Sequence, residues 1–174
     1  MPNQYSINST NQFIDLLYSQ NGQGIMASLD VESLFTNVPI VDTIDIISDY
    51  VYRNCDKLPP QIPETILRAM LELCTSKSPF ISPTGQIYHQ IDGVAMDSPL
   101  GPTFANYYMG HLENRIFNNL DIKPKIYVRY MDDIFLCQGM DMTFIYLVLI
   151  IHIIVVHIYE IIFFIMSINI ILLL

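Results

Sequence analysis

The run Ile126-Tyr127-Val128-Arg129-Tyr130-Met131-Asp132-Asp133-Ile134-Phe135-Leu136 constrains this chain more than any other stretch. Strand-forming residues flank two adjacent acids. A buried carboxylate without a partner is too costly to keep ionised. The acids therefore belong at a turn, where a metal, a basic partner or solvent meets them. The run predicts a hairpin with Asp132 and Asp133 at its tip.

A second apolar run, Ile25-Met26-Ala27-Ser28-Leu29-Asp30-Val31, also ends at an acid and continues as Glu32-Ser33-Leu34-Phe35-Thr36-Asn37-Val38-Pro39. If this strand lies beside the hairpin, Asp30 and Asp132 share one sheet edge. Hard divalent cations take oxygen ligands, and Mg²⁺ is usually held by one or two carboxylates plus substrate phosphates. Two such ions roughly 3.5–4 Å apart serve in-line phosphoryl displacement. That is nucleotidyl-transfer chemistry.

Between these runs the pattern is mixed. Phe13-Ile14-Asp15-Leu16-Leu17-Tyr18 is a short amphipathic segment, and Asn21-Gly22-Gln23-Gly24 is a turn signal. Ile40, Ile44, Ile47 and Val51 recur at helical spacing. Residues 63–73 read as a second helix with Pro63 at its first position. Residues 80–90 read as a small hairpin around Pro83-Thr84-Gly85. A helix of roughly 20 residues is expected from near Leu100 through Phe117. This order predicts an α+β class, with helices on one face of an antiparallel sheet.

Lys and Arg number 8 against 17 Asp and Glu, a net charge of −9. That sign is wrong for a free-standing nucleic-acid binder, whose affinity comes mainly from neutralising phosphates. Cys55, Cys74 and Cys137 lack Cys-x-x-Cys spacing, so reduced, packing cysteines in an intracellular protein are expected. His89, His111, His152 and His157 form no zinc pattern with them. The N-terminus has no basic start or apolar core of a secretory signal.

Three blocks together carry a family resemblance. They are Ser28–Pro39, Asp92–Asn106 (Asp-Gly-Val-Ala-Met-Asp-Ser-Pro-Leu-Gly-Pro-Thr-Phe-Ala-Asn) and Tyr127–Leu136. In order and spacing they resemble motifs A, B and C of the reverse transcriptase palm, and they are most similar to the Penelope-like branch of retrotransposons. The likeness runs from about Phe13 to Cys137. It implies a palm-like antiparallel sheet and an RNA-directed DNA polymerase. It also implies an RNA template, a DNA primer, deoxynucleotides and two Mg²⁺ ions, with Mn²⁺ as a substitute.

Residue by residue, the resemblance makes Asp30, Asp132 and Asp133 catalytic metal ligands, with the Val31 backbone carbonyl added. Phe35 stands where the family packs an aromatic under the sugar to exclude a 2′-hydroxyl; a core Phe beside Leu34 is the plain alternative. Met96 and Asp97 fall at the nucleotide site. Tyr130, Gln90 and Asn106 fall toward primer and template, and Tyr130 reads equally as a strand aromatic. Arg129 and Lys125 are candidates for the nucleic-acid backbone or for ordinary exposed strand positions.

Asp97 departs from the pattern, since Met96-Asp97-Ser98-Pro99 stands where the family reads Met-Gly-Ser-Pro. Bulk and negative charge beside phosphates imply a rate loss of about 100-fold or more. The family's basic fingers residues have no counterpart in residues 1–24, which contain no Lys or Arg. The expected layout is a fingers remnant at 1–24, a palm at 25–141 and an apolar tail at 142–174, in a truncated, impaired copy without thumb or endonuclease.

Residues 144–174 are nearly all apolar, interrupted by His152, His157, Glu160, Ser167 and Asn169. A membrane span, a buried helix and translated non-coding or frame-shifted sequence are the three readings. The expected location is intracellular, the nucleus for an active element, or a membrane through the tail. A catalytically inactive remnant is the alternative to the polymerase.

Overall fold

The computed structural model describes residues 4–19, 25–53, 61–77, 79–91, 93–120 and 123–138. In chain order the elements are α1 (Thr10–Ser19), β1 (Ile25–Asp30), a 3₁₀ turn (Leu34–Asn37), α2 (Ile40–Tyr52), α3 (Glu64–Cys74), β2 (Pro79–Ile81), β3 (Ile87–His89), α4 (Gly101–Asn118), β4 (Ile126–Tyr130) and β5 (Asp133–Gln138). The class is α+β, with four α-helices and two antiparallel sheets among the described residues. None of these helices is long and apolar enough to cross a membrane. The apolar tail, 144–174, lies outside the described residues. The described residues divide into two compact units, one of 4–32 with 112–138 and one of 33–111.

The first unit is built on a three-stranded sheet in the order β1-β5-β4. Strand periodicity sends alternate residues to opposite faces. In β1, Ala27 and Leu29 are buried while Ser28 and Asp30 are exposed. The register pairs Met26 with Cys137, Ser28 with Phe135 and Asp30 with Asp133. It also pairs Ile126 with Cys137 and Val128 with Phe135. On that face Phe13, Leu16 and Leu17 of α1 pack with Met26 and Phe135 against Ile126, Val128 and Cys137. The Phe13 and Phe135 rings meet edge-on at 5.0 Å.

The opposite face carries Tyr127 and Arg129, and both bond to Glu113 of α4. Tyr127 also stacks edge-on with Phe117, their ring centroids 4.7 Å apart. Helical residues therefore cover both faces, not one as expected. The reason lies in β4, where both alternating sets of side chains need cover. The outer edge of β4 is also occupied. Arg129 N donates to Tyr5 O and Ile7 N to Arg129 O, each at 2.9 Å, in a short parallel bridge. An edge paired in this way offers less free backbone to other chains.

In the second unit the helical spacing of Ile40, Ile44 and Ile47 becomes the buried face of α2. Thr43 Oγ1 donates back to Pro39 O at 2.6 Å at the start of that helix. Arg68 of α3 joins Asp45 of α2 and Glu64 of its own helix. Pro63 is the N-cap of α3, one position before the first helical residue. It has no amide hydrogen to leave unpaired at a helix start. The β2–β3 hairpin turns through Pro83-Thr84-Gly85, as its turn chemistry predicts, with Gly85 at φ 82°. Of the cysteines, Cys137 is buried, whereas Cys74 is exposed and so does not pack as expected; Cys55 lies outside the described residues.

Gly93 of the second motif sits at φ 72°, and a Cβ there would strike the Thr36 backbone. The neighbouring Val94 N donates to Phe35 O at 2.7 Å. Close approach and left-handed backbone both require glycine at this point. Gly93→Ala is expected to lose about 2–4 kcal/mol of stability in urea unfolding. Gly85→Ala, with open space around the Cβ position, is expected to lose only about 1 kcal/mol. Equal losses would show that the Thr36 contact carries no cost.

Candidate functional site

Asp30 ends β1 and Asp133 begins β5, and the two are direct cross-strand partners. Tyr130, at the end of β4, is the partner of Asp133 on its other side. One row at the end of the sheet therefore reads Asp30, Asp133, Tyr130. Asp132 stands beside this row in the turn, and its carbonyl accepts the Val31 N–H at 3.0 Å. The tip of the hairpin is Met131-Asp132, not Asp132-Asp133 as expected, because the Tyr130–Asp133 pair already closes the ladder.

Like charges directly across an antiparallel ladder repel. Burial and the charges of Asp132 and Asp133 all push the Asp30 carboxyl above its ordinary value. The apolar alternation of β1 and β5 holds this acidic edge together despite that repulsion. A cavity of about 490 Å³ opens on the same face. Asn8, Thr10, Phe13 and Ser28 line it, together with Tyr130 and Asp133. Ser28 was open to prediction, since it lies two residues before Asp30 on the same strand. The contribution of Asn8 and Thr10 was not, because it depends on where α1 docks.

The turn itself is strained. Met131 has φ 56°, and Ser33 at φ 54° is the other non-glycine residue of positive φ among the described residues. Two-residue hairpin turns call for positive φ, normally supplied by glycine or asparagine. A bulky residue there costs on the order of 1–3 kcal/mol and persists only where its surroundings hold it. The Met131 carbonyl accepts a hydrogen bond from Arg129 Nη1 at 3.0 Å.

Arg129 is fully buried and does not reach out to a nucleic-acid backbone. Its Nε donates to Glu113 Oε1 at 2.6 Å and its Nη2 to Oε2 at 3.4 Å. Tyr127 Oη donates to the same Oε1 at 3.2 Å. Burial raises the Glu113 carboxyl, and Arg129 and Tyr127 pull it back. Burial and Glu113 hold the Tyr127 phenol well above its usual range. From the sequence Arg129 reads as a nucleic-acid contact or an exposed strand charge; its inward direction and its partner, 16 residues away, come from tertiary packing. Lys125 is exposed.

The donor set can be tested against the divalent ions that the resemblance implies. Among the described residues, no three or more His, Cys, Asp or Glu side chains form a ready metal cluster. Asp30 and Asp133 nevertheless face each other across the ladder, with Asp132 adjacent. Mg²⁺ needs only one or two carboxylates when substrate phosphates supply the remainder. The residues present fit that mode and not an all-protein cage.

The other predicted residues belong to the second unit. Phe35 is half-buried in the 3₁₀ turn. Met96 and Asp97 are exposed in the loop before α4, where Ser98 N donates to Ala95 O at 3.0 Å. Asp97 is not a positive-φ residue. Its turn therefore requires no glycine conformation. Gln90 and Asn106 are half-buried and engaged in interactions of their own.

The raised Asp30 carboxyl has a consequence for stability. Its protonated form is favoured by folding, so its contribution is present at low pH and is lost as pH rises through the folded value. In chelator at neutral pH, Asp30→Asn is expected to raise Tm. The gain should vanish below the ordinary carboxylate value of 3.8, where both states are protonated. A lower Tm for the variant at neutral pH would contradict this.

No family model matches the chain, and no curated protein matches it. Solved structures do. Apo telomerase from Candida tropicalis, truncated from its C-terminal domain, aligns with a TM-score of 0.65 at 14% identity, over 87% of this chain and 32% of that one. Telomerase from Candida albicans, in complex with a TWJ fragment of telomeric RNA, aligns with a TM-score of 0.65 at 12% identity, over 86% and 29%. The chain thus spans about a third or less of the length of those telomerases. The likeness is one of fold, and the fold is reverse-transcriptase-like.

Proposed function

We propose that this chain carries the acidic sheet edge of an RNA-directed DNA polymerase, similar to the palm of Penelope-like retroelements. The observation that supports it most directly is the register of β1 on β5, which sets Asp30 opposite Asp133 with Asp132 in the adjoining turn. Acids about 100 positions apart in the chain converge on one edge, although they repel one another. The telomerase likeness supports the same reading at the level of fold.

In this reading a primer 3′-hydroxyl attacks the α-phosphate of a deoxynucleoside triphosphate. The new bond joins O3′ to phosphorus, and pyrophosphate leaves. Asp30, Asp132, Asp133 and the Val31 carbonyl would hold Mg²⁺. Bound there, the metal would lower the pKa of the attacking hydroxyl and neutralise charge on the leaving oxygen. Tyr130, half-exposed at the end of the same row, offers a ring for a primer-terminal nucleotide. Phe35 would discriminate against a 2′-hydroxyl, and Gln90, Met96 and Asn106 would serve nucleotide and template.

Asp97 favours a second reading, an inactive remnant of such an enzyme. Its exposed carboxylate replaces the family's glycine and would repel the phosphates. A net charge of −9 adds to that repulsion. Retention on membranes through 144–174 belongs to this reading.

Primer extension on an RNA template with Mg²⁺ separates the two. The polymerase reading expects incorporation that falls at least about 1000-fold in Asp132→Ala, as when a charge-stabilising group is lost. Incorporation no greater than in that variant supports the remnant. Asp97→Gly is expected to raise incorporation by about 100-fold, roughly 2.7 kcal/mol. No gain would remove Asp97 as the cause of impairment.

A further inference from the structure

We propose that Arg129 is a positioning residue for the acidic turn, holding Met131 in its left-handed conformation through a guanidinium anchored on Glu113. Its importance to activity rests on the polymerase reading above; its effect on the turn does not.

The geometry carries the inference. Arg129 and Glu113 are buried to 0% and 1% side-chain exposure, so neither meets solvent or substrate. Two guanidinium nitrogens face the Glu113 carboxylate and the third faces the Met131 carbonyl. Arginine's planar fork spans both acceptors, which a lysine ammonium at one point does not. Tyr127 donates a further bond to Glu113 and keeps the carboxylate in place. The backbone of Arg129 is held as well, by Tyr5 and Ile7 on the outer edge of β4.

On the other side of the hairpin, the Asp132 carbonyl accepts the Val31 N–H. The turn therefore hangs between two tethers, one from inside the unit and one from β1. Met131 and Asp132 are the two turn residues, and the acids of the site are Asp132 itself and its neighbour Asp133. A Met131 backbone that relaxes to negative φ would rotate the Asp132 peptide and loosen its bond to Val31.

Stability alone does not explain such a pair. Buried ion pairs are often replaced by apolar residues of similar volume without loss of stability. What an apolar replacement cannot supply is the bond to the Met131 carbonyl.

The double variant Arg129→Met/Glu113→Leu separates the two roles. It is made in the full chain beside wild type, Arg129→Lys and Asp132→Ala. Tm, amide hydrogen exchange and metal-dependent primer extension are measured on each. The double variant is expected to keep the protection of the β4–β5 ladder, with Tm lowered by no more than the loss of the Tyr127 hydroxyl's bond to Glu113. Its Val31 amide is expected to exchange about tenfold faster, the loss of one modest hydrogen bond. Arg129→Lys is expected to show the same local loss, which provides a second reading if the double variant does not fold. In extension, both are expected to lower kcat by about tenfold or more, with a smaller change in nucleotide KM. Wild-type protection of Val31 in both variants overturns the positioning role, whatever extension gives. A freed Val31 with wild-type kcat overturns its importance to activity. A wild-type chain no more active than Asp132→Ala removes the polymerase reading and leaves the effect on the turn to be judged on Val31 alone.

Discussion

Asp30 and Asp133 face each other across neighbouring strands, a repulsive contact that the packing of the first unit must outweigh. Like charges in register weaken a ladder by roughly the amount that good pairs strengthen it, on the order of 0.2–1 kcal/mol. The apolar rows on either side outweigh it. Leu29, Ile134 and Leu136 are nearly or fully buried on one face, while Ile126, Val128 and Cys137 are covered by α1 on the other. Apolar burial at roughly 25 cal/mol per Å² is ample against a single repulsive pair. The sheet can therefore hold acids at its end that gain nothing from one another.

The hairpin tip adds a second cost in the left-handed backbone of Met131. A glycine would adopt that conformation freely, and a methionine does not. The support comes from a buried charge, Arg129, which in turn requires Glu113 and Tyr127. Strain and acidic charge thus coincide in three consecutive residues, Met131, Asp132 and Asp133, and the surrounding packing meets both.

Much of the element order was legible from local pattern. The amphipathic stretch at Phe13–Tyr18, the 3.6-residue spacing of Ile40, Ile44 and Ile47, and the strand runs around Asp30 and Asp132 all became the elements their periodicity implies. Local chemistry dictates these features, so a local reading finds them. Boundaries were less secure. Pro63 fell one residue outside its helix, and the hairpin tip moved from Asp132-Asp133 to Met131-Asp132. Both shifts depend on hydrogen bonding that the residue types allow in more than one register.

The second side of the sheet was not legible. Glu113 reads as a polar residue within a long helix, and Arg129 as a charge on a strand. Their pairing depends on α4 passing under the β4 face, which no local signal encodes. The same holds for α1, whose docking brings Asn8 and Thr10 to a cavity beside Asp133.

The sequence by itself determined which segments are strands and helices, and which acids stand at strand ends, because periodicity and turn chemistry act over a few residues. Tertiary structure alone decided that Asp30 lies opposite Asp133 and not Asp132, and that Arg129 turns inward to Glu113 and the Met131 carbonyl. Register and the partner of a buried charge are set by the packing of elements distant along the chain, where no local preference reaches.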